Sequence, residues 1–316
     1  MSTPPHPEDG RAICRFWPAD LYLILYFLLL IGLVIAAPGD LPDRGNLVFE
    51  MSLVILMSLI FASGVNAGSS SWMILLRTIY PILPILYAFR LLHFLIPAVR
   101  HIDGTYERLL IHWDQLLFGT HIVYYFESIR TPVLTELMYY FYASYYVVPA
   151  VLVVYMFYRW IEGELPTNAL RKLSGGITLG FISSYLLYMV VPARGPWYAM
   201  GTDAIGMNIL DGSLESAWIG EQIRTVILTM EMEMYDVFPS GHTEVFLICV
   251  LLSWLYARKL FWPILVLFIG MAISTMYLRF HYGVDVIAGA VLAVGVVWFQ
   301  EWIHAGFEDE TRLTPG

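Results

Sequence analysis

Between Phe238 and Asp285 the chain reads FPSGHTEVFLICVLLSWLYARKLFWPILVLFIGMAISTMYLRFHYGVD. Two polar islands, Phe238-Pro239-Ser240-Gly241-His242-Thr243 and Leu278-Arg279-Phe280-His281-Tyr282-Gly283-Val284-Asp285, bracket two apolar runs that meet at Arg258-Lys259. Runs of this length read as membrane helices, and the paired cations mark the turn between them. A hairpin returns the chain to the face it left, so both islands emerge on one side. Imidazole, guanidinium and carboxylate groups are costly beside hydrocarbon, and islands of this kind mark functional sites.

The rest of the chain agrees with a membrane setting. Of 316 residues 59% are hydrophobic and 14% charged, with a mean hydropathy of +0.67. An ordinary soluble domain does not combine these values at this length. The reading is an all-α, polytopic transmembrane helical bundle. Eight spans are expected, near 20–37, 47–65, 72–96, 132–160, 172–192, 241–257, 261–278 and 284–304. Residues 1–71 form an N-terminal region with two spans, 72–304 a helical core, and 305–316 an acidic tail. The N-terminus has no small-residue cleavage site after its first apolar run, so that run reads as an anchor and not a removed signal. From about Arg100 to Arg130, Trp113, Leu116, Leu117 and Phe118 alternate with Glu107, His112 and Asp114, the pattern of helices lying at an interface.

Charge excludes some classes and orients the rest. A net charge of −9 offers nucleic acid no electrostatic footprint. Cys14 and Cys249 lie too far apart in kind and place for a disulfide framework or thiolate metal site. Arg11, Arg15, Arg171-Lys172 and Arg258-Lys259 fall on one side, against Arg44, Arg100, Arg108, Arg130 and Arg224 on the other. The first side is taken as cytoplasmic, with both termini, which makes the islands extracytoplasmic.

The islands carry the candidate chemistry. Pro239 and Ser240 suit a helix start, whose orphan N–H groups and dipole attract an anion beside Gly241 and His242. Taken alone, the tetrapeptide also fits plain capping. His281 and Asp285 are four apart, so the carboxylate can accept an imidazole N–H and leave the other nitrogen a better nucleophile. That spacing also serves structural hydrogen bonds. Arg279 presents a planar fork matched to phosphate oxygens. Arg194, in Val191-Pro192-Ala193-Arg194-Gly195-Pro196, ends the fifth span on the same side, where an arginine can also snorkel to lipid head groups. His93, His101, His112 and His121 have no compact ligand spacing. Tyr139, Tyr140, Tyr142, Tyr145 and Tyr146 read as an interfacial belt or packing surface. Glu231-Met232-Glu233-Met234-Tyr235-Asp236 reads as a solvated loop.

In this order, an arginine near a proline, then Pro-Ser-Gly-His, then a histidine followed four residues on by aspartate, the chain resembles the type 2 phosphatidic acid phosphatase superfamily over about 172–302. The resemblance implies a six-helix core from spans three to eight and a phosphohistidine mechanism with no metal and no cofactor. His281 would attack phosphorus, Asp285 orient it and His242 protonate the leaving alkoxide, while Arg194, Arg279, Ser240 and Gly241 hold the phosphoryl oxygens. Departures narrow it: Leu187 stands where the phosphatases carry a lysine, Gly195 separates Arg194 from Pro196, and Thr275 replaces an arginine. Ser274-Thr275…Arg279-Phe280-His281-Tyr282, with Trp113-Asp114…Phe118-Gly119, Thr135-Glu136 and Tyr142…Tyr145-Tyr146, looks more like the inositol phosphorylceramide synthase and sphingomyelin synthase branch of sphingolipid metabolism. The expected partners are then a lipid phosphate or phospholipid substrate and a lipid alcohol acceptor. Hydrolysis of phosphatidate or isoprenyl pyrophosphate is the alternative. A non-enzymatic transporter or flippase would show paired repeats with broken helices near the midplane, and no such repeat is visible.

Overall fold

The computed structural model describes residues 16–65, 69–99, 106–199, 214–231 and 235–312. Arg11, Cys14, Arg15, Arg100, His101 and residues 66–68, 200–213 and 232–234 lie outside them. Thirteen helices account for the described chain: α1 (Pro18–Ala36), α2 (Arg44–Gly64), α3 (Ser71–Ile79), α4 (Ile82–Val99), α5 (Glu107–Phe118), α6 (Ile122–Ser128), α7 (Pro132–Ile161), α8 (Thr167–Val190), α9 (Pro196–Ala199), α10 (Gly220–Glu231), α11 (Gly241–Tyr256), α12 (Arg258–Tyr277) and α13 (Gly283–Arg312).

Seven segments are long and apolar enough to cross a membrane, with α3 and α4 counted as one. The sixth expected span, α11, has 16 residues, about 24 Å of helix against a hydrocarbon core of roughly 30 Å. The third expected span is broken at Tyr80-Pro81, because proline has no N–H to continue the ladder. The last helix runs past 304 to Arg312, so the segment expected as a separate tail begins in helix. Between Arg100 and Arg130 lie α5 and α6, both too short to span.

Capping follows sequence locally. Thr131 accepts from Leu134 N at 3.2 Å ahead of Pro132, and Asp43 accepts from Asn46 N at 3.2 Å. At the hairpin, α11 and α12 share the single buried residue Ala257, whose N–H bonds Ser253 O at 2.8 Å.

Helix α11 is the axis of the bundle, packed by α8, α7, α12 and α13, with Val245, Phe246, Ile248, Cys249 and Leu252 fully buried. Its approach to α8 depends on Gly180: a Cβ there would come within 2.5 Å of Ile248. With Gly176 one turn earlier this is the small-xxx-small spacing that lets membrane helices pack closely. Helices α1 and α2 lean on each other, and α1 also packs on α8 and α4.

An ion pair sits inside this N-terminal packing. Arg77 of α3, 1% exposed, meets Asp20 of α1 at 2.6 Å. Tyr80 donates to Asp20 at 2.5 Å, Trp17 N–H at 2.7 Å, and Arg77 also donates to the Val65 carbonyl.

Candidate active site

The two islands meet because two helix starts touch. Ser240 caps α11 through its hydroxyl, which accepts from Thr243 N at 3.3 Å. Its own N–H donates to the Asp285 carbonyl in the first turn of α13 at 3.0 Å. Gly289 permits this contact, since a Cβ there would lie 2.4 Å from Ser240 O. At the other end, α12 unwinds over Thr275, whose carbonyl accepts from both Phe280 N (2.9 Å) and His281 N (3.1 Å). Arg279 takes a left-handed φ of 67°, uncommon for a side chain bearing a Cβ, and this turns His281 back toward α11.

The result is a line of four side chains. His281 Nδ1 lies 3.3 Å from Asp285 Oδ2, which also accepts from Tyr282 N at 3.0 Å. His281 Nε2 faces His242 Nδ1 at 3.3 Å, and His242 Nε2 faces the Tyr142 hydroxyl at 2.9 Å. One assignment satisfies these three contacts with neutral rings: Tyr142 donates to His242, His242 to His281, and His281 to Asp285. Asp285 is fully buried and His281 4% exposed. The His242 ring packs against Tyr142 and Tyr145, with centroids 4.9 and 4.4 Å away.

The two arginines are held differently. Arg194 extends its guanidinium over the rings of Tyr198 and Tyr235, 4.1 and 4.4 Å from the centroids, and donates to the Tyr235 hydroxyl. Arg279 pairs with Glu127 of α6, while its carbonyl accepts from Trp197 N at 2.9 Å. Ser240 is fully buried at the head of α11. His242, His281, Gly241 and Arg194 line a cavity of about 550 Å³ that continues downward between α4, α7 and α8.

Helix α5 clamps the site from outside. Glu107 accepts from Arg194 N at 3.0 Å, and seven residues on, Asp114 accepts from Gly283 N (3.1 Å) and Val284 N (2.8 Å) at the start of α13. Burial raises both carboxyls above their usual range, and these backbone donors oppose it. His121 caps α6 by accepting from Val123 N at Nδ1, 3.3 Å away. Burial pushes its pKa down to about 4.

A depressed histidine has a definite sign of linkage. Its contribution to stability is full above pH 6.5 and is lost as pH falls through about 4. The His121→Asn variant is therefore expected to lose less thermal stability than wild type between these values, by up to roughly 3 kcal/mol. Paired melting curves in detergent across that range check it, and parallel pH slopes would refute it. The buried Glu107 and Asp114 act with the opposite sign; because Asp114 Oδ2 lies 4.0 Å from His121 Nδ1, the same pair of melting curves is also run in an Asp114→Asn background.

Several expectations change. Of the two readings of the tyrosine run, belt or packing surface, Tyr139 and Tyr142 follow the second, being buried, and Tyr142 adds a contact to His242 that neither reading included. Asp236 lines the cavity and its backbone bridges Ala193, so that end of the acidic run is not free loop. Glu107, Glu127 and Tyr235 were missed. The first was legible, because Glu107 and Asp114 lie two turns apart on one helix face.

Comparisons with known proteins come to the same region. The PAP2 superfamily profile matches residues 108–299. The chain is 29% identical over 211 residues to an inositol phosphorylceramide synthase of Candida albicans, covering 62% of this chain and 42% of that protein. It is 38% identical over 73 residues to the bacitracin transport permease protein BcrC of Bacillus licheniformis, covering 23% of this chain and 36% of that protein. The chain thus spans less than half the length of either relative. No solved structure matches significantly. With a profile match over more than half its length and a multi-pass helical architecture, the chain belongs to the PAP2 superfamily of membrane lipid phosphatases and phosphotransferases.

Proposed function

We propose that the protein cleaves or transfers a phosphate ester of a lipid at the extracytoplasmic interface through a phosphohistidine on His281, and that it favours head-group transfer of the inositol phosphorylceramide synthase kind. The observation that carries this is the line Asp285, His281, His242 at the head of a cavity descending between membrane helices.

The two imidazoles contact each other, so a phosphoryl group entering between them parts the pair. The axis from His281 Nε2 to His242 Nδ1 then becomes the line of displacement. His242 takes up a proton beside the bound anion, and the Tyr142 oxygen accepts its Nε2–H. His281 Nε2 bonds phosphorus as the ester P–O bond breaks, and His242 gives its Nδ1 proton to the leaving alkoxide. Asp285 balances the positive phosphoimidazole. Neutral His242 next takes the proton of an attacking water or lipid alcohol, which separates hydrolysis from transfer. Arg194, Arg279, Ser240 and Gly241 supply the phosphoryl cradle, with Glu127 holding Arg279 in place. The transfer reading is supported by the Ser274 to Tyr282 pattern and by the Candida albicans relative.

Purified protein is to be incubated with phosphatidate, isoprenyl pyrophosphate and phosphatidylinositol, with and without ceramide or diacylglycerol, following free phosphate and new lipids together. A new phospholipid that requires the added alcohol supports transfer; free phosphate alone supports hydrolysis; neither overturns the proposal. Activity is expected to survive EDTA. Loss on chelation with recovery on one divalent cation would require a metal-dependent mechanism.

A further inference from the structure

Arg194 is held twice, by its side chain and by its backbone. The rings of Tyr198 and Tyr235 hold the guanidinium. The backbone lies between α8 and α9, outside any helix, and two buried side chains grip it. Glu107 Oε1 accepts from the Arg194 N–H at 3.0 Å, and the Tyr282 hydroxyl donates to the Arg194 carbonyl at 3.0 Å.

The start of α13 is held from the same helix. Asp114, fully buried and two turns after Glu107 on α5, gives one carboxylate oxygen to each of two N–H groups, Oδ2 to Gly283 and Oδ1 to Val284. The first turn of a helix has no backbone acceptors for such groups, and Asp285 is the next residue. Phe118, at the end of α5, closes the contact, since a Cβ on Gly283 would collide with its ring.

We infer that Glu107 and Asp114 are positioning residues with separate tasks, joined by α5 into one frame. Resting on the proposed phosphoryl chemistry, Glu107 sets how tightly the phosphoryl group is held, through Arg194. Asp114 sets how fast it is transferred, through Asp285 and His281. The Tyr282 hydroxyl belongs with Glu107, although Tyr282 follows His281 in the chain.

The two carboxyls separate by how many oxygens they use. Glu107 uses one, and its Oε2 has no hydrogen-bond partner among the described residues, so Glu107→Gln keeps the acceptor that Glu107→Leu removes. Asp114 uses both, so Asp114→Asn points an amide NH2 at a backbone N–H. Asp114→Glu keeps both oxygens and displaces them by a methylene.

The test uses the full chain in phosphatidylcholine nanodiscs, with kinetics on whichever ester of the panel above turns over fastest. Orthovanadate binding, followed by isothermal titration, is the readout that needs no turnover. Glu107→Leu and Tyr282→Phe should each raise KM and the vanadate Kd about tenfold while kcat changes less than about threefold, and Glu107→Gln should recover most of the loss. Asp114→Asn and Asp114→Glu should lower kcat by roughly 10- to 100-fold and leave the vanadate Kd close to that of wild type. Parallel losses of kcat and vanadate binding at both carboxyls, or no recovery in Glu107→Gln, would mean that α5 is only a structural prop and overturn the inference. The expected vanadate pattern in a protein that turns over no ester would sink the enzymatic reading and leave Glu107 as the residue that positions an anion-binding arginine.

Discussion

His281→Ala is expected to abolish phosphoryl transfer, with a loss of roughly 10⁴- to 10⁶-fold in kcat/KM, and to yield no acid-labile phosphoenzyme with any substrate. The reason is positional: His281 Nδ1 lies 3.3 Å from Asp285 Oδ2, four residues on, which orients the ring and leaves Nε2 to attack. His242 Nε2 faces the Tyr142 hydroxyl, which donates to a neutral ring and accepts from a protonated one. His242→Ala should therefore lose roughly 10²- to 10⁴-fold with a lipid ester, where the alkoxide needs a proton. With a nitrophenyl phosphate it should recover much of that loss. Rapid-quench trapping of phosphoenzyme in both variants, with both leaving groups, makes the comparison. Phosphoenzyme trapped in His281→Ala, or identical losses with both leaving groups, would refute the assignment.

Asp285→Asn is expected to lower kcat on the order of 10³-fold while leaving the melting temperature in detergent unchanged or higher. Shape is conserved, and the backbone bond from Ser240 N to the Asp285 carbonyl does not involve the side chain. The charge is what goes. Asp285 Oδ2 accepts from both His281 Nδ1 and Tyr282 N, and an amide serves the two only by keeping its oxygen there, with no negative charge to steady the phosphoimidazole. A purely structural hydrogen bond would give the reverse pattern: activity retained in proportion to folded protein, and a lowered melting temperature.

Much of this architecture was legible because hydrocarbon imposes length. The long apolar runs declare themselves, and the hairpin from Thr243 to Tyr277 returns His242 and His281 to one face. What stayed hidden depends on which way a uniformly apolar helix faces. Nothing in the run from Tyr139 to Tyr146 says that Tyr142 turns toward His242 while Tyr140 is exposed. The pairing of Arg279 with Glu127 joins residues 152 apart in sequence, and only the docking of α6 on α12 brings them together. The cavity is illegible for the same reason, since it is space left between helices and not a property of any one of them.

The ion pair of Asp20 and Arg77 bears on how the chain is made. Helix α1, carrying a carboxylate, is made before α3, which carries a guanidinium. Each alone is costly beside hydrocarbon, Asp20 less so than a mid-span acid because it is the third residue of α1. Bonded to each other and to Tyr80, Trp17 and Val65, they enter as a neutral, satisfied unit. The first and third spans are then released into the bilayer as partners, and a nascent chain that ends after α2 holds an acid still waiting for its base.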